Sequence, residues 1–239
     1  MEPFTTFSPP GKPHIVCHAE YEQGSEAWLQ ARCGLLTASE VKLIVTEKTM
    51  KAASNDKERA HLYELLAQRV NKYVEPHYIG DDMLRGHADE VFAREVYEKH
   101  YAPISTDVAF MTNNSFGFTL GYSPDGLVAD DGGIECKSRR QKFQMQTILE
   151  ATVPAEYMMQ LQTAMLVSER DWIDFVSYSG GMPMYVERVY PNDKIREAII
   201  EIAGGFEQRI AEKIEAYKIA SANFIPTERH VFEEQDITI

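Results

Sequence analysis

The stretch YSPDGLVADDGGIECKSRR, from Tyr122 to Arg140, constrains this chain more than any other. Pro124 presets its own φ and Gly126 admits a turn, so Ser123-Pro124-Asp125-Gly126 reverses the chain tightly. Asp131-Gly132-Gly133 is a second reversal, and the apolar residues between and after it favour strands. The stretch therefore predicts a β-hairpin. A hairpin alone has no need of Asp125, Glu135 or Lys137. Strand side chains alternate faces, so Glu135 and Lys137 share one face, roughly 6.5–7 Å apart along the backbone. Cys136 points to the other face, and Asp125 can fold back beside Glu135. Two carboxylates and an ammonium then meet at a sheet end.

The surrounding pattern predicts a mixed α/β domain. Residues 1–20 read as an extended N-terminal arm, punctuated by Pro9, Pro10, Gly11 and Pro13. Ser25 caps a short helix carrying Trp28, Leu29 and Arg32 that stops at Gly34, and Thr37 or Ser39 starts another through Val41, Leu43 and Ile44. Helices are expected over 55–73 and 82–100, then short strands over 106–137. Two more helices follow, over 140–150 and from Pro154 to Ser168. Asp171–Tyr178 and Met184–Tyr190 form a hairpin about Gly180-Gly181, and a long helix covers 192–221. A single domain over 21–222 and a tail over 223–239 are expected.

Composition narrows the function classes. A net charge of −13 over 239 residues argues against a protein that coats nucleic acid with a general basic field. It leaves room for an enzyme gripping nucleic acid in one groove. No run approaches the ~18 apolar residues of a membrane span, and the N-terminus lacks the basic start and apolar core of a signal peptide. Three cysteines (Cys17, Cys33, Cys136) suit a reducing compartment without a disulfide framework. A soluble cytoplasmic protein with no membrane partner is expected. His14, Cys17 and His18 lie close in sequence, but no second ligand cluster completes a zinc site.

The carboxylate pair with its lysine suits metal-assisted hydrolysis of a phosphodiester. Hard carboxylate oxygens hold Mg²⁺, and the metal lowers the pKa of a bound water and neutralises charge on phosphate. A nearby lysine orients that water, or helps remove its proton if its own pKa is depressed. The spacing Pro124-Asp125, then Glu135-Cys136-Lys137, resembles the PD-(D/E)xK nuclease signature. EQGSEAWLQARCGLLTASEVKLIV (22–45) resembles the N-terminal motif of phage-lambda-type exonucleases, the YqaJ-like viral recombinase family. RGHADEVFAREVYE (85–98) is similar to its Gly-x-x-x-Glu helix, and YMMQLQTAMLVS (157–168) to the helix after the catalytic strand. The motifs stand in family order.

The resemblance implies a restriction-endonuclease-like α/β core, with a central mixed β-sheet flanked by helices. It implies Asp125, Glu135 and Glu90 as metal ligands, joined by the Cys136 backbone carbonyl, with Mg²⁺ as cofactor and Mn²⁺ able to substitute. Lys137 would position or activate water and Gln160 would orient Lys137 or the attacked phosphate. Arg32, Ser39 and Ser123 match positions that hold a terminal 5′-phosphate, although Ser39 also fits as a helix cap and Ser123 as a turn stabiliser. Family members can carry a basic residue just before Gly-x-x-x-Glu. Here that segment is Gly80-Asp81-Asp82, leaving Lys72 and Arg85 as substitutes. The implied activity is digestion of one strand of duplex DNA from a 5′-phosphorylated end, leaving a 3′ overhang for recombination. A ring-shaped homotrimer and a single-strand annealing partner are implied with it. Two other readings stay open: an endonuclease on the same fold, and a non-catalytic DNA-end binding module.

Overall fold

The computed structural model describes residues 6–19, 21–76 and 80–229, apart from the side chain of Asp82. The remainder of the expected arm and tail lies outside them. In chain order the elements are β1 (Thr6–Phe7), β2 (Ile15–Ala19), α1 (Glu26–Arg32), β3 (Leu36–Thr37), α2 (Val41–Ile44), β4 (Val45–Thr46), β5 (Lys51–Ala52), α3 (Asp56–Asn71) and α4 (Asp81–His100). Then come β6 (Val108–Asn113), β7 (Leu120–Tyr122), β8 (Gly126–Val128), β9 (Gly132–Ser138), α5 (Gln141–Glu150), a 3₁₀ turn over Ala155–Tyr157, α6 (Met158–Ser168), β10 (Trp172–Tyr178), β11 (Tyr185–Val189) and α7 (Asp193–Ser221).

The mixed α/β architecture expected from the sequence is present, with helices flanking the sheets. One sheet has the order β1-β2-β6-β7-β3; the other, β11-β10-β9-β8, is mixed. β9 and β10 run parallel, while β8–β9 and β10–β11 are antiparallel hairpins. Helix starts follow local chemistry. The Ser25 hydroxyl accepts from Trp28 N–H, and the Asn55 and Asn192 side chains cap α3 and α7 in the same way.

α6 is buried from Met159 to Ser168 on every side. It packs against β6, β7, β10, α2 and α7, so it is the hub of the main core. A smaller cluster on the opposite face of the mixed sheet joins Ala93 and Tyr97 of α4 to Ile134, Cys136, Trp172 and Val176. Strand β9 is thus held from both sides. Among the described residues no helix is long and apolar enough to cross a membrane.

Two details differ from local expectation. Leu36-Thr37 is a strand instead of a helix start, because parallel pairing with Leu120-Gly121 satisfies its backbone in the interior. The helix that follows is only Val41–Ile44. Within segment 1–20, Ile15–Ala19 lies between β1 and β6, with Ile15 and Cys17 buried.

Candidate active site

The register of the β8–β9 hairpin assembles the site. Gly126 pairs with Ile134, so Asp125, one residue before, arrives beside Glu135. β8 begins only at Gly126, so its pairing with β9 stops at Ile134 and Cys136 has no β8 partner. The Asp125 Oδ2 accepts from the Cys136 N–H at 2.6 Å. Glu135 and Lys137 share a face as expected, and Lys137 Nζ donates to Glu135 Oε1 at 2.7 Å. Gln160 of α6 donates to the same oxygen at 2.6 Å. The Cys136 side chain faces away into the smaller core cluster; its peptide remains at the site.

Glu90 enters from α4. Its partner is Arg94, one helical turn on, at 3.2 Å, and Arg94 also donates to the Asp125 carbonyl at 3.3 Å. Arg94 thereby ties α4 to the turn that carries Asp125. Sequence reasoning missed it, although a Glu-Arg pair at i,i+4 is a readable signal. Next to Lys137 on β9, Ser138 donates to Asp89 at 2.5 Å and accepts from Arg85 at 3.1 Å. Of the two cations considered as substitutes, Arg85 therefore lies at this end of β9. Lys72 is the left-handed cap that ends α3.

The electrostatics are those of crowded buried carboxylates. Burial pushes the Asp125 carboxyl well above its ordinary range, and Glu135 and Glu90 push it further; Lys137 and the Cys136 N–H only partly oppose this. Glu90 is raised by burial and by Glu135, against the pull of Arg94. For Lys137, burial is the largest single influence and lowers the pKa. Glu135 and Asp125 together outweigh it, so the ammonium is held above its usual range. In this arrangement the Lys137 pKa is raised, not depressed, and its ammonium donates to Glu135.

Among the described residues, no group of three His, Cys, Asp or Glu side chains stands ready to hold a metal ion. The donor types nevertheless fit a hard divalent cation. Among the described residues Glu135 Oε2 is buried with no hydrogen-bond partner, which is costly for a carboxylate oxygen unless a cation or another donor meets it. Mutual repulsion among Asp125, Glu135 and Glu90 would be relieved in the same way.

The three residues matched to a phosphate pocket do come together. Arg32 Nη1 donates to Ser123 Oγ at 2.9 Å, and the Trp28 indole N–H donates to the same hydroxyl at 3.2 Å. Arg32 Nη2 reaches Thr37 Oγ1, which lies 3.2 Å from Ser39 Oγ. Arg32 stacks over Trp28 at 4.2 Å. Thr37 is the hub that links Arg32 to Ser39, and Glu40 accepts from its hydroxyl at 2.7 Å. The sequence pattern put Trp28 on a helix and Thr37 at a helix start, and marked neither as part of a phosphate pocket. A cleft of about 500 Å³ opens on Trp28, Arg32, Thr37 and His87. A neighbouring one of about 310 Å³ opens on Glu90, Arg94 and His87. Gln23 and His87 line both, so Arg32 and Glu90 share one groove.

Comparison with known proteins gives the family and the fold. Residues 27–171 match the model of the YqaJ-like viral recombinase domain. No curated protein matches the sequence. Among solved structures, an alkaline exonuclease (LHK-Exo) from Laribacter hongkongensis is 28% identical, with a TM-score of 0.74 over 84% of this chain and 100% of that one. The same enzyme in complex with dAMP gives 29% identity and 0.73 over the same shares. A phage-related exonuclease from Haemophilus somnus 129PT, 14% identical over 77% of this chain and 96% of that one, shares the fold at 0.55.

Proposed function

Because the chain belongs to the YqaJ-like viral recombinase domain family, we propose that it is a nuclease acting on DNA, and specifically a Mg²⁺-dependent 5′-to-3′ exonuclease. It digests one strand of a duplex from a 5′-phosphorylated end and leaves a 3′ single-stranded overhang for recombination by strand annealing. The observation that carries this reading is the shared groove. It brings Arg32, with Ser123 bonded to it, onto the same groove as Glu90, which Arg94 ties to the turn that carries Asp125.

Each residue then has a physical task. Arg32 and the two hydroxyls receive a terminal phosphate, since a guanidinium and hydroxyl donors match its oxygens. That pocket selects a 5′ end and sets the polarity. Asp125, Glu135 and Glu90, with the Cys136 carbonyl, would hold the cation; Mn²⁺ could replace Mg²⁺. When bound, the cation supplies a water of lowered pKa and neutralises charge on the phosphate. Lys137, kept protonated by its carboxylate neighbours, donates a hydrogen bond that orients the attacking water. Gln160 fixes the rotamer of Glu135 through its bond to Oε1.

The family reading extends to assembly. A ring-shaped homotrimer would keep an acidic chain on DNA by topology instead of by broad charge attraction, and a single-strand annealing protein would receive the overhang. Both belong to a cytoplasmic recombination system in this reading.

The test compares linear duplexes with a 5′-phosphate or a 5′-hydroxyl, with and without Mg²⁺, against closed circular DNA. Mononucleotide release from phosphorylated linear ends, absent for Lys137→Ala and absent on the circle, is expected. Cleavage of the circle would move the activity to an endonuclease. Binding without hydrolysis would leave an end-binding module.

A further inference from the structure

The basic run that follows the catalytic lysine has no part in the site described so far. Arg139, Arg140 and Lys142 stand almost side by side just after Lys137, and no acidic residue occurs between Cys136 and Leu149. That is unusual in a chain of net charge −13. The fold interleaves these cations with aromatic rings. The Lys137 ammonium lies 5.6 Å from the centre of the Tyr157 ring, and the Arg139 guanidinium lies 5.3 Å from the same ring. Arg139 is also 5.2 Å from the Phe143 ring, which the Lys142 ammonium approaches to 4.6 Å. Cation and ring alternate from the catalytic lysine out to the first turn of α5.

Two independent features there call for an anion. The Arg139 side chain is only 10% exposed, and its Nε is buried without a hydrogen-bond partner among the described residues. Its Nη1 is bonded to the Glu156 carboxylate, itself 59% exposed, and to the Tyr157 hydroxyl, at 2.7 and 2.6 Å. Besides this, the N-cap of α5 is Arg140, whose side chain has no acceptor to offer the N–H groups of the first turn. A buried guanidinium with a spare donor beside an uncapped helix start is a receptor for a phosphate. Phe143, 40% exposed and flanked by two cations, is a platform for a base. Bases of an intact duplex are stacked on each other, whereas those of a single strand are free to stack on a ring.

From this geometry we infer that Arg139, Lys142, Phe143 and the first turn of α5 form a track for single-stranded DNA leading to the catalytic lysine. A backbone phosphate replaces the Glu156 carboxylate on Arg139, and a neighbouring base stacks on Phe143. The choice of DNA as the nucleic acid rests on the nuclease reading above; the single-strand preference rests on the interleaved rings.

The experiment measures binding of a labelled short oligothymidylate by fluorescence anisotropy in EDTA, where nothing is hydrolysed. Phe143→Ala is expected to weaken binding about ten-fold, and Phe143→Trp to restore it. Phe143 is exposed enough that neither change disturbs folding. Glu156→Gln removes the carboxylate that competes for Arg139 and is expected to tighten binding about two- to three-fold, which a purely structural Arg139–Glu156 pair would not do. A blunt duplex should be bound equally by wild type and Phe143→Ala. Unchanged oligothymidylate affinity in either Phe143→Ala or Glu156→Gln overturns the proposal. Mg²⁺-dependent digestion of linear duplex by wild type is scored separately. Digestion with no dependence of binding on Phe143 removes the track and keeps the nuclease. Phe143-dependent binding without digestion does the reverse.

Discussion

At the scale of single residues, the ionised Asp125 opposes folding. Its carboxyl is held well above the ordinary range by burial, then by Glu135 and Glu90. The folded chain therefore binds that proton more tightly than the unfolded chain does. The ionised form destabilises the fold, and the penalty grows as pH rises from the unfolded pKa through the folded one. Without metal near neutral pH, Asp125→Asn should raise Tm by a few degrees, at about 2–4 °C per kcal/mol for a chain of this size. It keeps an acceptor for Cys136 N–H while abolishing hydrolysis. The gain should shrink as the pH is lowered into the carboxylate range. A lower Tm for the variant in calorimetry would mean that the charged bond to Cys136 outweighs the repulsion. Gln160 acts differently, by fixing Glu135 from a helix that is buried throughout. Gln160→Ala should lower kcat or metal affinity about 10–100-fold, read from Mg²⁺ titrations of the rate, and should also lower Tm, since a buried side chain and a donor to Glu135 are lost.

At the scale of elements, the site depends on where β9 begins. Gly132 pairs with Trp172 in the parallel ladder. A Cβ there would meet the Trp172 indole at 2.0 Å, so Gly132→Ala must move the ring or the strand. The indole cannot yield easily, because Arg188 stacks on it at 3.4 Å and is itself held by the buried Asp174. Gly132→Ala should cost about 1–3 kcal/mol, as overpacking does, visible as a lower urea midpoint with unchanged slope. Loss of activity beyond the loss of folded protein would show that β9 itself has shifted. α4 positions Glu90 through Ala93 and Tyr97, which it buries against β9, while Val91 and Phe92 remain exposed.

At the scale of the whole molecule, the ends of the chain are tied to the middle. β2 is an interior strand, and His14 and Lys12 bond to Glu169 at the end of α6. Arg69 of α3 grips Glu207 of α7 with both terminal nitrogens, and its Nε donates to the Gly34 carbonyl. Deleting residues 1–20 would strip an interior strand with Ile15 and Cys17, exposing the edge of β6. That truncation should lose cooperative thermal unfolding or aggregate; a well-folded product with native circular dichroism would overturn the expectation. If the chain works as a ring, digestion should be processive and the protein should sediment as a trimer at micromolar concentration. A monomer that releases DNA after each cut would remove the ring from the picture.

Much of this was legible locally. The caps at Ser25, Asn55 and Asn192, the hairpin at Gly180-Gly181 and the alternation that puts Glu135 with Lys137 all depend on neighbours in sequence. They follow from backbone sterics and side-chain period, which act over a few residues. The PD-(D/E)xK spacing is of the same kind, because one hairpin register brings Asp125 to Glu135. Leu36-Thr37 was not legible as a strand, since only its distant pairing with β7 makes it one. Nor were Arg94, Thr37, Trp28 and Tyr157, whose roles come from partners on other elements. The sign of the Lys137 shift also belongs to the tertiary structure. Burial alone would depress it, and only the convergence of two carboxylates in one low-dielectric place raises it. The sequence by itself determined which chemical groups the chain carries and how each strand and helix begins. The tertiary structure decided which groups share a groove, because charge, desolvation and hydrogen bonding act through space between segments far apart along the chain.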